Sequence, residues 1–169
     1  MRYIDIVFPK NNEEHFLKVA QSLSIKELIF VYPINDYANG YKGYKTEEKG
    51  KWPIVKTAVL VTPKEVMAAK KKYSLMVIKS DRETDRWSVE HGQPFVIFGF
   101  ELHEQRDFMH HRNAGLTDVL ARIMHQCNVA YGFSVADLLL TPKEFQSVII
   151  GRMRQNIMIA KKYKVEIIL

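Results

Sequence analysis

A chain of 169 residues with 47% apolar content has material for one sizeable core, and this composition excludes a disordered polymer. No run approaches the roughly 18 apolar residues of a membrane span, and MRYIDIVF is followed at once by the polar NNEEH, so neither a transmembrane helix nor a cleavable signal is expected and the chain reads as soluble and cytoplasmic. A single Cys127 excludes an internal disulfide and any Cys-x-x-Cys zinc site, while a formal charge of +6 raises the expectation of a polyanionic partner.

The elements read in order as follows. Tyr3 to Phe8 is a short apolar strand, and Asn11 or Asn12 precedes a helix over EEHFLKVAQSL. Glu27 to Tyr32 is a second strand. Residues 33–54 break the pattern with glycines, prolines and charges and read as a loop insertion. Lys56 to Val61 is a third strand. Thr62-Pro-Lys-Glu65 has capping-box spacing and opens a helix to about Lys72. Leu75 to Lys79 is a fourth strand, after which Ser80-Asp-Arg-Glu83 has the same spacing and opens a helix that Gly92 ends.

Phe95 to Phe100 is a fifth strand, and Glu101 to Asn113 a polar loop. The next helix has Val119, Leu120, Ile123 and Met124 on one side, with Asn113 or Thr117 as its cap. Val129 to Ser134 suits a buried sixth strand, with a loop over 134–141. Thr141-Pro-Lys-Glu144 then repeats the cap before a long helix to about Tyr163, whose apolar side carries Phe145, Val148, Ile149, Met153 and Ile157. Val165 to Leu169 is a seventh strand. Strand and helix alternate throughout, which makes the class α/β with a parallel sheet. An open doubly wound sheet and a closed barrel both fit. The length tilts the choice toward the open sheet, because a barrel takes eight strands and about 200 residues or more.

Charge and chemistry narrow the function less than the fold. The excess charge sits in residues 42–86, where 12 Lys+Arg meet 6 Asp+Glu and the rest balances at 13 and 13; a solvated basic face has the same signature. Within loop 33–54, Tyr37, Tyr41, Tyr44 and Trp52 interleave with Lys42, Lys45, Lys49 and Lys51, a mixture able to stack on unpaired bases and neutralise phosphates. His103, His110 and His111 with Glu101, Glu104 and Asp107 form a local cluster, but no metal-ligand spacing accompanies them. Ser134 and Cys127 lack the surroundings of a nucleophile, and the glycines at 40, 43 and 50 do not form a phosphate loop.

The stretch RNAGLTDVLARIMHQCNVAYGFSVADLL resembles the archaeal ribonuclease P protein component 3 family, in which a basic loop, a Gly and a helix of the form VLAKLM precede N-x-V-A-x-G-F-S and a closing Leu-Leu. Arg86-Trp-Ser-Val-Glu-His-Gly92 and the following apolar strand resemble that family's preceding helix and strand. The likeness covers about residues 75 to 140 and continues more loosely, in the order and type of elements, from Met1 to Ser74. It implies a PHP-like, TIM-type (β/α) barrel, incomplete with about seven parallel strands. It also implies an RNA-binding subunit of ribonuclease P that assists 5′ leader removal from precursor tRNA while the RNA subunit carries the chemistry.

The partners so implied are ribonuclease P RNA, precursor tRNA and a small Pop-type component 2, with no cofactor, no metal and no catalytic residue in this chain. Carried over as RNA contacts are Arg86 and the basic run His111, Arg112 and Asn113, with Arg106, Arg122 and Lys79 placed near the same rim. Tyr3-Ile-Asp-Ile6 stands where metal-dependent PHP enzymes have His-x-His, which argues against the rival reading of a metal-dependent phosphoesterase; a scaffold with little RNA contact is the other rival. The family generally continues past the seventh strand. A strand edge beside Ile167, Ile168 and Leu169 is then expected either to be tolerated in a reduced, partly open barrel or to be covered by a partner or a second copy.

Overall fold

The computed structural model describes residues 4–38, 53–103, 106, 107 and 109–168, and it contains seven parallel strands in the sequential order β1 to β7. These are β1 (Ile4–Val7), β2 (Glu27–Pro33), β3 (Ile54–Val61), β4 (Met76–Lys79), β5 (Val96–Phe98), β6 (Ala130–Gly132) and β7 (Ile167–Ile168). The helices between them are α1 (Glu13–Ser22), α2 (Ile34–Ala38), α3 (Val66–Lys70), α4 (Asp85–Trp87, running on as a π turn over Ser88–Gly92), α5 (Asp118–Gln126), α6 (Val135–Leu140) and α7 (Lys143–Lys162). The strand order never reverses, so there is no switch point of the kind an open doubly wound sheet has, and β1 and β7 come close together. The architecture is therefore a nearly closed TIM-like barrel. The open sheet that length favoured is corrected: strands apolar on both faces read alike in the two folds, and the order of pairing separates them.

Side chains alternate across the barrel wall. On β2, Ile29 and Val31 face inward with Ala58, Val77, Val96, Ala130 and Ile168, whereas Leu28, Phe30 and Tyr32 face outward against Phe16 and Leu17 of α1. The larger outer core joins Ile78, Ile97 and Tyr131 to Val66 of α3, to Leu120, Ala121 and Met124 of α5, and to Ala160 of α7. At the first turn of β2 the buried Glu27 carboxylate is ion-paired to Lys56 of β3.

Several local expectations change. The Thr117 hydroxyl does cap α5, accepting the Leu120 N–H at 3.2 Å. Ser80 instead donates to Asp85 Oδ2 at 2.6 Å, and Asp85 Oδ1 accepts the Asp81 N–H at 2.7 Å, so Asp85 rather than Glu83 ties down the start of α4. Thr141 does not cap α7: its hydroxyl donates back to the Asp137 carbonyl at 2.8 Å and finishes α6. The α6 helix replaces the expected loop 134–141 because Ser134 accepts the Asp137 N–H at 3.0 Å, an N-cap inside what reads as a strand end. The fifth strand stops at Phe98, since Gly99 turns left-handed at φ +86° and Phe100–Leu102 forms a 3-10 turn. Val119 and Phe145 are exposed, although periodicity puts them on apolar faces.

Loop 33–54 begins with helix α2, and Ile54 already pairs in β3. Of its aromatic residues only Tyr37 is described: it packs edge-on against Tyr73 at 5.3 Å, and its hydroxyl lies 3.3 Å from Thr57 Oγ1. Tyr41, Tyr44, Trp52 and the interleaved lysines lie outside the described residues.

Among the described residues, no hydrogen-bonded ladder joins β1 to β7. A largely apolar cavity of about 710 Å³ opens there, lined by residues that include Ile4, Ile6, Phe16, Phe98, Phe133 and Ile168.

Candidate nucleic-acid interface

The loop that leaves β5 at the C-terminal mouth of the barrel is gripped by one face of α7. Arg152, with its side chain 6% exposed, donates Nη1 to the carbonyls of Glu101 at 3.2 Å and His103 at 2.8 Å, and Nε to Asp107 Oδ1 at 2.8 Å. Asp107 also accepts the Asn113 N–H at 2.9 Å, closing the loop on itself, while one turn along α7 the Asn156 amide donates to the Ala114 carbonyl at 2.8 Å. Burial works against the Asp107 charge, yet the Asn113 N–H and the Arg152 guanidinium outweigh it and hold the carboxyl below its ordinary range. The loop returns through Gly115, at φ +88°, where a Cβ would collide with the Phe100 carbonyl.

Beneath the loop lies a second polar group. Glu101 is fully buried and its Oε2 accepts the Tyr131 hydroxyl at 3.1 Å. Burial pushes the Glu101 carboxyl above its ordinary range, and burial followed by the neighbouring Glu101 pushes the Tyr131 hydroxyl up as well. Two buried acceptors, Glu101 Oε1 and Asn156 Oδ1, have no hydrogen-bond partner among the described residues.

This frame sets where the carried-over residues stand. Arg106, His111 and Arg112 are exposed on the gripped loop. The Arg112 guanidinium lies directly over Gly151 of α7, where an added Cβ would overlap it, and the Arg112 carbonyl accepts from Gln155 at 3.4 Å. Asn113 is buried at 7% exposure, with its amide turned to the Arg106 carbonyl at 3.5 Å, so it shapes the loop from within. Lys79 ends β4; its stem crosses Gly99, and its ammonium stands 3.9 Å from Asp137 Oδ2 with 56% of the side chain exposed. Arg86 lies on α4, ion-paired to Glu90 at 2.9 Å and 69% exposed. Arg122 lies on α5 over the Tyr163 ring at 5.5 Å, a packing contact of the outer helical layer.

The loop's acids and His103 point to different tasks. Glu101 turns inward to Tyr131, Asp107 serves Arg152 and Asn113, and His103 Nε2 lies 3.0 Å from Ser80 Oγ. Ser80 Oγ donates to Asp85 Oδ2 rather than to His103, whereas a serine activated by an imidazole would give its proton to the ring. Among the described residues, no group of three or more His, Cys, Asp or Glu is arranged to hold a metal ion.

Arg152 and Asn156 are the side chains that sequence reasoning missed. They interrupt the apolar stripe of Ile149, Met153 and Ala160, and a polar residue carried to the buried side of a helix needs a partner there. Gly151 is the other missed position. Gly151→Ala should leave the fold intact, since alanine is the better helix former by about 1 kcal/mol, yet drive the Arg112 side chain off its seat. If Arg112 contacts phosphate, the variant should bind RNA more weakly, and binding as tight as the unsubstituted protein's, measured by filter retention, would show that the seat is irrelevant.

No family model matches the chain. Among solved structures it is similar to a chain in the cryo-EM structure of archaeal ribonuclease P with mature tRNA, at 20% sequence identity and a TM-score of 0.69, over 97% of this chain and 71% of that one. At that identity the likeness is one of fold.

Proposed function

We propose that this chain is a protein subunit of ribonuclease P, of the component 3 family, that binds RNA and assists 5′ leader removal from precursor tRNA while the RNA subunit carries the chemistry. The observation that carries this reading is the exposed Arg106, His111 and Arg112 loop at the barrel mouth, held by Arg152, on a fold shared with a chain of a ribonuclease P complex. Cationic side chains on a braced loop suit phosphate contacts, which orient an RNA fold without reading its sequence. Lys79 and Arg86 extend the contact set; Asn113 acts through the loop's shape, and Arg122 is the weakest member because it is engaged with Tyr163.

The partners of this reading are ribonuclease P RNA, precursor tRNA and a small Pop-type component 2. Ile4 and Ile6 fill the first strand's inward positions with aliphatic groups, which disfavours the phosphoesterase reading.

Reconstitution is the test. The chain combined with its cognate ribonuclease P RNA and partner proteins should raise the rate of leader removal over the mixture lacking it, and an unchanged rate would defeat the proposal. In the RNA-binding assay, Arg86→Ala with Arg112→Ala should flatten the dependence of log affinity on log salt by about 0.7 to 0.9 per lost phosphate contact. An unchanged slope would favour a scaffold that binds protein partners and little RNA.

A further inference from the structure

Away from the gripped loop, α4 presents an aromatic pair to solvent. The rings of Trp87 and His91, one helical turn apart, are stacked with centroids 5.3 Å apart and an interplanar angle of 23°. The imidazole is fixed by its Nδ1, 3.1 Å from the Trp87 carbonyl, and the indole remains 43% exposed. The segment beneath is rigid: Ser88, Val89 and Gly92 are buried, and Gly92 sits so close to Val66 of α3 that a Cβ would overlap it. The surroundings are basic. Lys70 of α3 donates to the His91 carbonyl at 2.8 Å and to Gln93 Oε1 at 3.0 Å, and Lys71 and Lys72 follow it at the end of α3. Glu90, the acid on the neighbouring stripe, is already paired with Arg86.

We propose that the Trp87–His91 stack is a platform for an unpaired RNA base, with the run Lys70, Lys71 and Lys72 beside it neutralising the adjoining phosphates. A large exposed π face is costly to leave in water, and it is matched by a flat base whose backbone carries the opposite charge to its neighbours. Protein anchors such as an exposed Trp would more commonly fill an apolar pocket, whereas the nearest charged group here, the Lys70 ammonium, is held at the His91 backbone carbonyl beside the pair. The proposal rests on the RNA-binding reading above and adds to it the single-stranded character of one contact. The π turn beneath the pair fits a functional position, since such turns are often found at binding sites.

The test measures binding of the full chain and its Trp87 variants to a short oligouridylate, and separately to double-helical RNA, by filter retention, with a Trp52→Phe background used only to read Trp87 fluorescence. Oligouridylate should quench Trp87 fluorescence, and Trp87→Ala should weaken its binding about 5- to 160-fold, the equivalent of roughly 1–3 kcal/mol for one stacked base. Trp87→Phe should recover most of that affinity, and duplex binding should change little in any variant. Retained oligouridylate binding with no quenching and no effect of Trp87→Ala would overturn the platform while leaving the RNA-binding reading intact. Absence of any RNA binding by the unsubstituted chain would remove both. Loss of assembly with protein partners in Trp87→Ala, at unchanged oligouridylate affinity, would reassign the pair to a protein contact.

Discussion

Arg152→Ala should lower the stability of the protein by about 3 kcal/mol, enough to bring the melting temperature down by roughly 6–12 °C for a chain of this size. The cause is local and threefold. Two carbonyls, of Glu101 and His103, lose the donor that satisfies them, and the Asp107 carboxylate loses its cationic partner while still tied to the Asn113 N–H. The guanidinium serves these acceptors with two nitrogens in a fixed plane, so Arg152→Lys should rescue only part of the loss. Because Asp107 is 30% exposed, water relieves some of its penalty, and the larger share falls on the carbonyls. Thermal melts by circular dichroism decide the matter: a loss below about 1 kcal/mol, small for an engaged buried group, would mean that the loop is held by something other than α7. Accelerated proteolysis between residues 101 and 113 should accompany the loss.

Glu101→Gln tests the buried pair beneath that loop through its pH dependence. The Glu101 carboxyl is raised in the folded protein, so the folded state binds its proton more tightly than the unfolded chain does. That contribution is fully present below the ordinary carboxylate range and is lost as the pH rises through the raised folded value. Glutamine is nearly the same shape, never ionises, and can offer an N–H where Glu101 Oε1 and Asn156 Oδ1 now lack partners. The variant should therefore match the parent at pH 4 and exceed it increasingly above the ordinary carboxylate range. Asp107, held low, acts with the opposite sign in both proteins and cancels in the difference. A stability difference flat with pH, or one favouring the parent at neutral pH, would mean that Glu101 is held as a charged group.

The alternation of strands and helices was legible because buried parallel strands and capped helices leave local marks. The β2 strand and the Thr117 cap stand where their residues place them. Capping motifs misled where two candidates competed for one hydroxyl. Ser80 chose the buried Asp85 over Glu83, and Thr141 served the helix behind it, neither of which a spacing rule can rank. The α6 helix escaped notice because Val135–Leu140 buries none of its residues, so no amphipathic period marks it.

The part of the site that matters mechanically was not local at all. Arg152 reaches residues some 45 to 51 positions earlier in the chain, and only the closing of the barrel brings α7 beside the loop after β5. The basic residues of that loop were legible as candidates; the side chains that aim them were not, apart from the two polar interruptions of an apolar helical stripe.

The seam between β1 and β7 has a mechanical meaning. A hoop with a continuous ladder resists any change of girth, because its strand number and stagger fix its radius. Among the described residues β1 and β7 are each hydrogen-bonded on one side only, and β1 is half-buried along its length while β2 is buried almost throughout. Strain introduced at one mouth can be taken up by the gap instead of being forced through every strand. The seven-pair β2–β3 ladder is the firmest stretch of the wall, whereas β5 to β7 pair over only three and two residues, so give at the seam is passed toward the gripped loop after β5.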